Sequence, residues 1–157
     1  MVVATGSVTG RRQLHFDSLD DILADVERLN QGQVKTLGNW SPGQVLRHLT
    51  IVMTGSMDGF RNRPPWFIRL LGKVMKRRML TKPMSAGFQL PERALEELGP
   101  PPTEWAEGVT MFREAVRRLK TDDKRVPSPF LGAMTREEWD QLHCRHAELH
   151  LSFLAPG

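Results

Sequence analysis

Apolar residues recur at steps of three and four in four separate stretches of this sequence, and each stretch opens on a residue suited to cap a helix. That spacing gathers the apolar side chains on one helical face, and such a face must be buried against another element. The first stretch begins at Ser18, places Asp20 and Asp21 in its first turn, and carries Leu19, Ile22, Leu23, Val26 and Leu29. The second opens on Ser41, Pro42 and Gln44, a capping box with proline at the first helical position, and carries Val45, Leu46, Leu49, Val52, Met53, Met57 and Phe60. The third follows Pro100-Pro101-Pro102, takes Thr103 as its cap, and repeats Trp105, Val109, Phe112, Val116 and Leu119. The fourth pairs Thr135 with Glu138 in another capping box and repeats Trp139, Leu142, His146, Leu149 and Phe153 before Ala155-Pro156-Gly157 stops it. The pattern predicts helices over 18–31, 41–60, 103–120 and 135–154 with no strand, which is an all-α four-helix bundle.

The link between the second and third helices, residues 61–102, far exceeds the ~2–8 residues usual between bundle helices. A crossover of that length lets these two helices run in the same direction and leaves room for short helices across the bundle. A chain of 157 residues suits one domain, 1–157, with residues 1–13 as a flexible arm of small and polar residues. Within the crossover, Trp66, Phe67, Leu70, Leu71, Val74, Met75 and Met79 follow Pro64-Pro65 on one side of a helix, with Arg69, Lys73, Lys76 and Arg77 on the other. The expectation is a helix over 66–80 whose Phe67, Leu70, Leu71 and Val74 pack on the bundle while its cations stay in solvent.

Charge is concentrated rather than spread. No acidic residue lies between Asp58 and Glu92, where eight basic residues fall, and the rest of the chain carries fourteen basic against eighteen acidic residues. One local basic feature argues against a general nucleic-acid binder. No apolar run approaches the ~18 residues of a membrane span, and no positively charged, then apolar, leader opens the sequence. The lone Cys144 has no partner for an internal disulfide. Together these features set the expectation of a cytoplasmic protein.

The histidines carry the chemistry. His143, His146 and His150 lie three and four apart on the fourth helix, with His146 in the stripe that faces the core. His48 lies three residues after Val45 and four before Val52, on the apolar side of the second helix. Bundles build metal sites from side chains on facing helices, and His48 with His146 and His150 offers three neutral nitrogens to one divalent ion. Three protein ligands leave a position open for water or substrate, the pattern of a catalytic metal. Imidazole suits zinc, nickel, iron and copper, with zinc and nickel the first expectation. Protonated imidazole does not bind, so affinity is expected to fall below pH ~6.5. His143 is a fourth ligand, a pocket-lining proton donor or a surface residue, with pocket lining preferred. Gln44, one turn before His48 on the same face, is either a partner to that site or simply part of the cap. Trp40 is read as packing at the mouth of the second helix, Cys144 as a structural thiol, and His15 and Asp58 as peripheral.

The stretch Asn39-Trp40-Ser41-Pro42-Gly43-Gln44-Val45-Leu46-Arg47-His48-Leu49 resembles the first signature of DinB/YfiT-like proteins. Pro129-Phe130-Leu131-Gly132, ahead of a capped helix ending His146-Ala147-Glu148-Leu149-His150-Leu151, resembles their second. The likeness spans residues 11–154 and is closest to an uncharacterised branch that often reads histidine-histidine-leucine at the last step. Leu149 stands here for the first histidine of that doublet, and the ligand position remains His150. The resemblance implies a bundle of DinB type with a long crossover, a three-histidine metal site, and often a homodimer. Characterised relatives include transferases and isomerases that use mycothiol, bacillithiol or similar low-molecular-weight thiols. The function expected is therefore a metal-dependent enzyme acting on a small molecule through an activated water or thiol. The alternative is a non-catalytic binding module that uses the basic crossover, 61–82, on an anionic membrane or a partner.

Overall fold

The structure is a computed structural model, and it describes residues 2–87 and 92–157. Met1 of the arm and residues 88–91 of the crossover lie outside the described residues. The chain is mostly helical: α1 (Leu19–Leu29), α2 (Pro42–Asp58), α3 (Trp66–Thr81), α4 (Glu92–Leu98), α5 (Trp105–Thr121) and α6 (Arg136–Leu151). Two short strands, β1 (Val34–Thr36) and β2 (Leu154–Pro156), pair antiparallel with Thr36 opposite Leu154.

Three of the four expected caps form as read. Ser18, Ser41 and Thr135 each accept the backbone N–H three residues on, and Asp21, Gln44 and Glu138 close the capping boxes. Thr103 does not cap. Its hydroxyl donates to the Pro101 carbonyl at 2.9 Å, and α5 begins two residues later behind Glu104 without a side-chain cap. The fourth helix also stops earlier than its stripe suggests. It ends at Leu151, and the chain turns through Ser152 and Phe153 so that Leu154–Pro156 can pair with β1. Three-residue strands are too short to show alternation, which is why the sequence offered no sign of them.

The apolar faces of α1, α2, α5 and α6 meet in one core that includes Ile22, Val26, Leu46, Leu49, Met53, Phe112, Leu119, Ala147 and Leu151. The start of α2 lies against the start of α5. A Cβ on Gly43 would fall 2.1 Å from the Thr103 carbonyl oxygen, and one on Gly108 would fall 3.1 Å from the Gly43 oxygen. At the other end, Arg118 of α5 holds Asp58 of α2 through two 2.9 Å hydrogen bonds. These two helices therefore run in the same direction, as the long crossover allows. On α1, Lys120 reaches Asp20 while Trp105 donates to Asn30, so α1 runs opposite to α5.

The arm is fastened at its inner end. Arg12 makes paired 2.8 Å bonds to Asp25 of α1 and donates to the carbonyls of Leu151 and Leu154. Burial raises the Asp25 pKa, but Arg12 and Arg28 outweigh it and hold the carboxylate below its usual range.

The crossover contains the helix expected over 66–80, with the opposite face inward. Phe67, Leu70, Leu71 and Val74 are exposed. The inward side is Gly72, Lys76, Met79 and Leu80. A Cβ on Gly72 would lie 1.9 Å from the Phe130 carbonyl oxygen, and Lys76 donates to Glu138 at 2.6 Å and to the Ala133 carbonyl at 2.8 Å. Met79 and Leu80 join a second apolar cluster with Leu131, Trp139 and Leu142. Backbone approach at a glycine and an anchored lysine chose the face, and the larger apolar stripe was left outside.

Alanine normally stabilises a helix relative to glycine. At Gly43 the added methyl would collide with backbone, so Gly43→Ala is expected to destabilise the protein by about 1–3 kcal/mol. Gly32→Ala, with nothing within 4 Å of its new Cβ, should leave the thermal midpoint nearly unchanged. Paired thermal melts check this.

Candidate metal centre

The site lies where α2 faces α6. His48 comes from the second turn of α2, and His146 and His150 come from successive turns of α6. The Nε2 atoms of His48 and His146 are 3.1 Å apart, and the donor atoms of all three histidines lie within 4.8 Å of one another. Their rings stand edge-on, with centroids 4.6 to 4.9 Å apart. Nitrogens bound tetrahedrally at 2.0–2.1 Å from one zinc are about 3.4 Å apart, so small ring movements close this set around an ion. The three histidines could hold a metal ion, and they are the three that the sequence singles out.

Two features of the site had no signal in the sequence. The first is a backbone group. His48 Nδ1 lies 2.7 Å from the carbonyl oxygen of Leu98, at the end of α4. A carbonyl only accepts, so Nδ1 carries the proton and Nε2 presents its lone pair to the other histidines. This is the outer hydrogen bond that fixes the tautomer of a metal-binding imidazole. The second is Trp40, which stacks on His150 at 5.5 Å between ring centroids and leans on His48 at 4.8 Å. The sequence marked Trp40 only as a packing residue ahead of α2.

All three imidazoles titrate below the ordinary histidine range. Burial is the main cause, with neighbouring imidazoles adding to it at His146 and His150; the Leu98 hydrogen bond partly offsets the shift at His48. The positive Arg11, held on Ser152 and over the Phe153 ring, adds to the shift at His150. A lowered pKa keeps these rings neutral to more acid pH than an ordinary histidine, so proton competition sets in below the usual range.

The other candidates lie elsewhere. His143 is buried between Trp139, with ring centroids 5.4 Å apart, and Ser56, whose Oγ is 3.2 Å from its Nε2; it makes no hydrogen bond to the three histidines. Gln44 completes the cap of α2 and donates to the Pro100 carbonyl at 3.2 Å. Cys144 is buried, and burial pushes its thiol up to about 11, which makes it a poor nucleophile. Asp58 is engaged by Arg118. His15 sits at the surface between Asp17 and Glu148.

Burial, and secondarily the charge of Arg125, lowers His143 to about 3. The unfolded chain takes a proton there near pH 6.5 and the folded chain does not. Its contribution to stability is therefore complete above pH 6.5 and is lost as pH falls, at up to about 1.4 kcal/mol per pH unit. In His143→Phe, which keeps the stacking on Trp139 and leaves the Ser56 hydroxyl on the Met53 carbonyl, denaturant melts between pH 6.5 and 4 should show a smaller loss than the parent.

No curated protein and no solved structure matches this chain. One protein family does, over residues 8–157, a span that takes in α1 through β2 and all three histidines of the site. The chain belongs to that family, described as Protein of unknown function (DUF1569).

Proposed function

We propose that this protein is a divalent-metal-dependent enzyme of the DinB-like superfamily, acting on a small molecule, with His48, His146 and His150 as the ligands of zinc or nickel. The observation that carries the reading is the convergence of three neutral imidazoles from two helices, one with its tautomer fixed by Leu98. The parallel α2 and α5 with a long crossover between them also agree with a bundle of DinB type. A divalent ion with three protein ligands supplies Lewis acidity at its open position, lowering the pKa of a water or a low-molecular-weight thiol there.

The chain's own residues do the rest. Leu98 holds the proton of His48 on Nδ1 and so keeps Nε2 available. Trp40 covers one side of the histidines and limits the approach of water. Arg11 places a positive charge near His150, which disfavours its protonation. Cys144 takes no part, since its thiol is buried and its pKa raised.

Protein purified without a histidine tag should carry about one divalent ion per chain, measured by elemental analysis. His146→Ala and His150→Ala should fall below about a tenth of that, with His15→Ala and His143→Phe unchanged. Zinc or nickel at a hundredfold excess over its Kd should stabilise the wild type by about 2.7 kcal/mol and His150→Ala not at all. A wild type that takes up no more metal than His150→Ala would end the reading.

A further inference from the structure

The outer face of α3 is the one large apolar surface that the fold leaves open among the described residues. Trp66, Phe67, Leu70, Leu71 and Val74 are 73%, 55%, 56%, 54% and 77% exposed. A soluble protein seldom exposes so many large apolar side chains side by side without a use for them. The helix cannot roll to bury them, because Gly72 sits against the Phe130 carbonyl and Lys76 is tied to Glu138 and Ala133 on the opposite side.

The charges around this stripe say what covers it. Arg63, Arg69, Lys73, Arg77, Arg78 and Lys82 flank or follow it, and none forms an ion pair among the described residues. No acidic residue lies anywhere from 59 to 91. In a twofold contact between two copies of α3, these cations would oppose one another. An apolar stripe edged with unpaired cations fits a surface that is anionic outside and apolar just beneath. Arg69 and Lys73 face two ways. They border the stripe, and with Arg63 they also line a cleft of about 550 Å³ floored by Phe60 and the 126–133 loop. The cleft offers positively charged space at the edge of the stripe, where a phosphate group would sit.

We propose that α3 docks the protein on an anionic phospholipid bilayer. The helix lies in the plane of the surface, with Trp66, Phe67, Leu70, Leu71 and Val74 at the boundary between headgroups and acyl chains, and with Arg63, Arg69, Lys73 and Arg77 on lipid phosphates. No helix of the described residues is long and apolar enough to cross a membrane, so the contact is a peripheral one. It depends on α3 and its flanks alone and is independent of the metal reading.

The full chain is mixed with vesicles of phosphatidylcholine alone or of equal parts phosphatidylcholine and phosphatidylglycerol, and binding is read by co-sedimentation. The expected result is binding to the anionic vesicles, release by ~0.5 M salt, and a blue shift of tryptophan emission that Trp66→Phe removes. Each cation near such a surface multiplies affinity about fivefold, so Lys73→Glu with Arg77→Glu should weaken binding at least about twenty-five-fold. Leu70→Ser with Val74→Ser should also abolish binding. All of these positions are exposed, so thermal melts should match the parent and exclude misfolding. Equal binding to neutral vesicles, or anionic binding that survives the lysine and arginine reversals, would overturn the proposal. So would a protein that ignores vesicles and sediments as a dimer split by Leu70→Ser with Val74→Ser, which would show that a second copy covers the face.

Discussion

Gly43 and Gly108 bring α2 and α5 together backbone to backbone, start against start, and much of the architecture follows from that contact. Two helices that begin at the same end oblige the chain between them to travel back along the protein. That return journey creates α3 and α4. The end of α4 then arrives beside the second turn of α2, where the Leu98 carbonyl meets His48. A side chain at Gly43 would collide with the Thr103 carbonyl and push the first turn of α2, one turn before His48, off α5. The crossover is thus a structural part of the histidine site and not merely a connection.

The site itself reflects a balance between solvation and charge. Burial disfavours the protonated form of all three imidazoles, neighbouring imidazoles add to this at His146 and His150, and a backbone carbonyl engages His48. Neutral nitrogens with free lone pairs are poorly satisfied by one another, and a shared cation is the partner that suits all three. The ion pairs of the fold lie mostly at the periphery: Arg118 with Asp58, Arg113 with Glu27, Lys120 with Asp20. These surface pairs orient helices more than they stabilise them. The buried Arg12–Asp25 pair is different, since its carboxylate has left water and depends on the guanidinium.

Periodicity was legible because it is local. Caps at Ser18, Ser41 and Thr135 and the stripes behind them depend on residues within a turn or two, and so do the placements of His146 and His150 on one helix face. Bringing His48 to them required only that two apolar faces meet. What escaped the sequence depended on contacts from far along the chain. Thr103 has the residue type of a cap, but its hydroxyl turns back to the Pro101 carbonyl and α5 begins behind Glu104. The stripe of α6 continued to Phe153, but Leu154–Pro156 found a strand more than a hundred residues away. The inward face of α3 is not its apolar stripe, because a glycine that admits a carbonyl oxygen carries no hydrophobic signal. Leu98 and Trp40 act through a main-chain oxygen and a ring face, and neither role is written in residue type. The DUF1569 family, which the chain matches over nearly its whole length, supplies kinship without chemistry, so the geometry carries the functional argument.

The Arg12 clamp bears on how the protein reaches this structure. One guanidinium joins residue 12 to Asp25 and to the carbonyls of Leu151 and Leu154, closing a loop that encompasses almost the entire chain. Closing so long a loop is entropically unfavourable until the helices between have assembled. The clamp is therefore favourable only once α1 and α6 stand side by side. Until it forms, Asp25 has only Arg28 to hold its charge, and the Leu151 carbonyl at the end of α6 lacks its Arg12 donor. Removing that one guanidinium would therefore loosen the segment around residue 12 and the turn after α6 together.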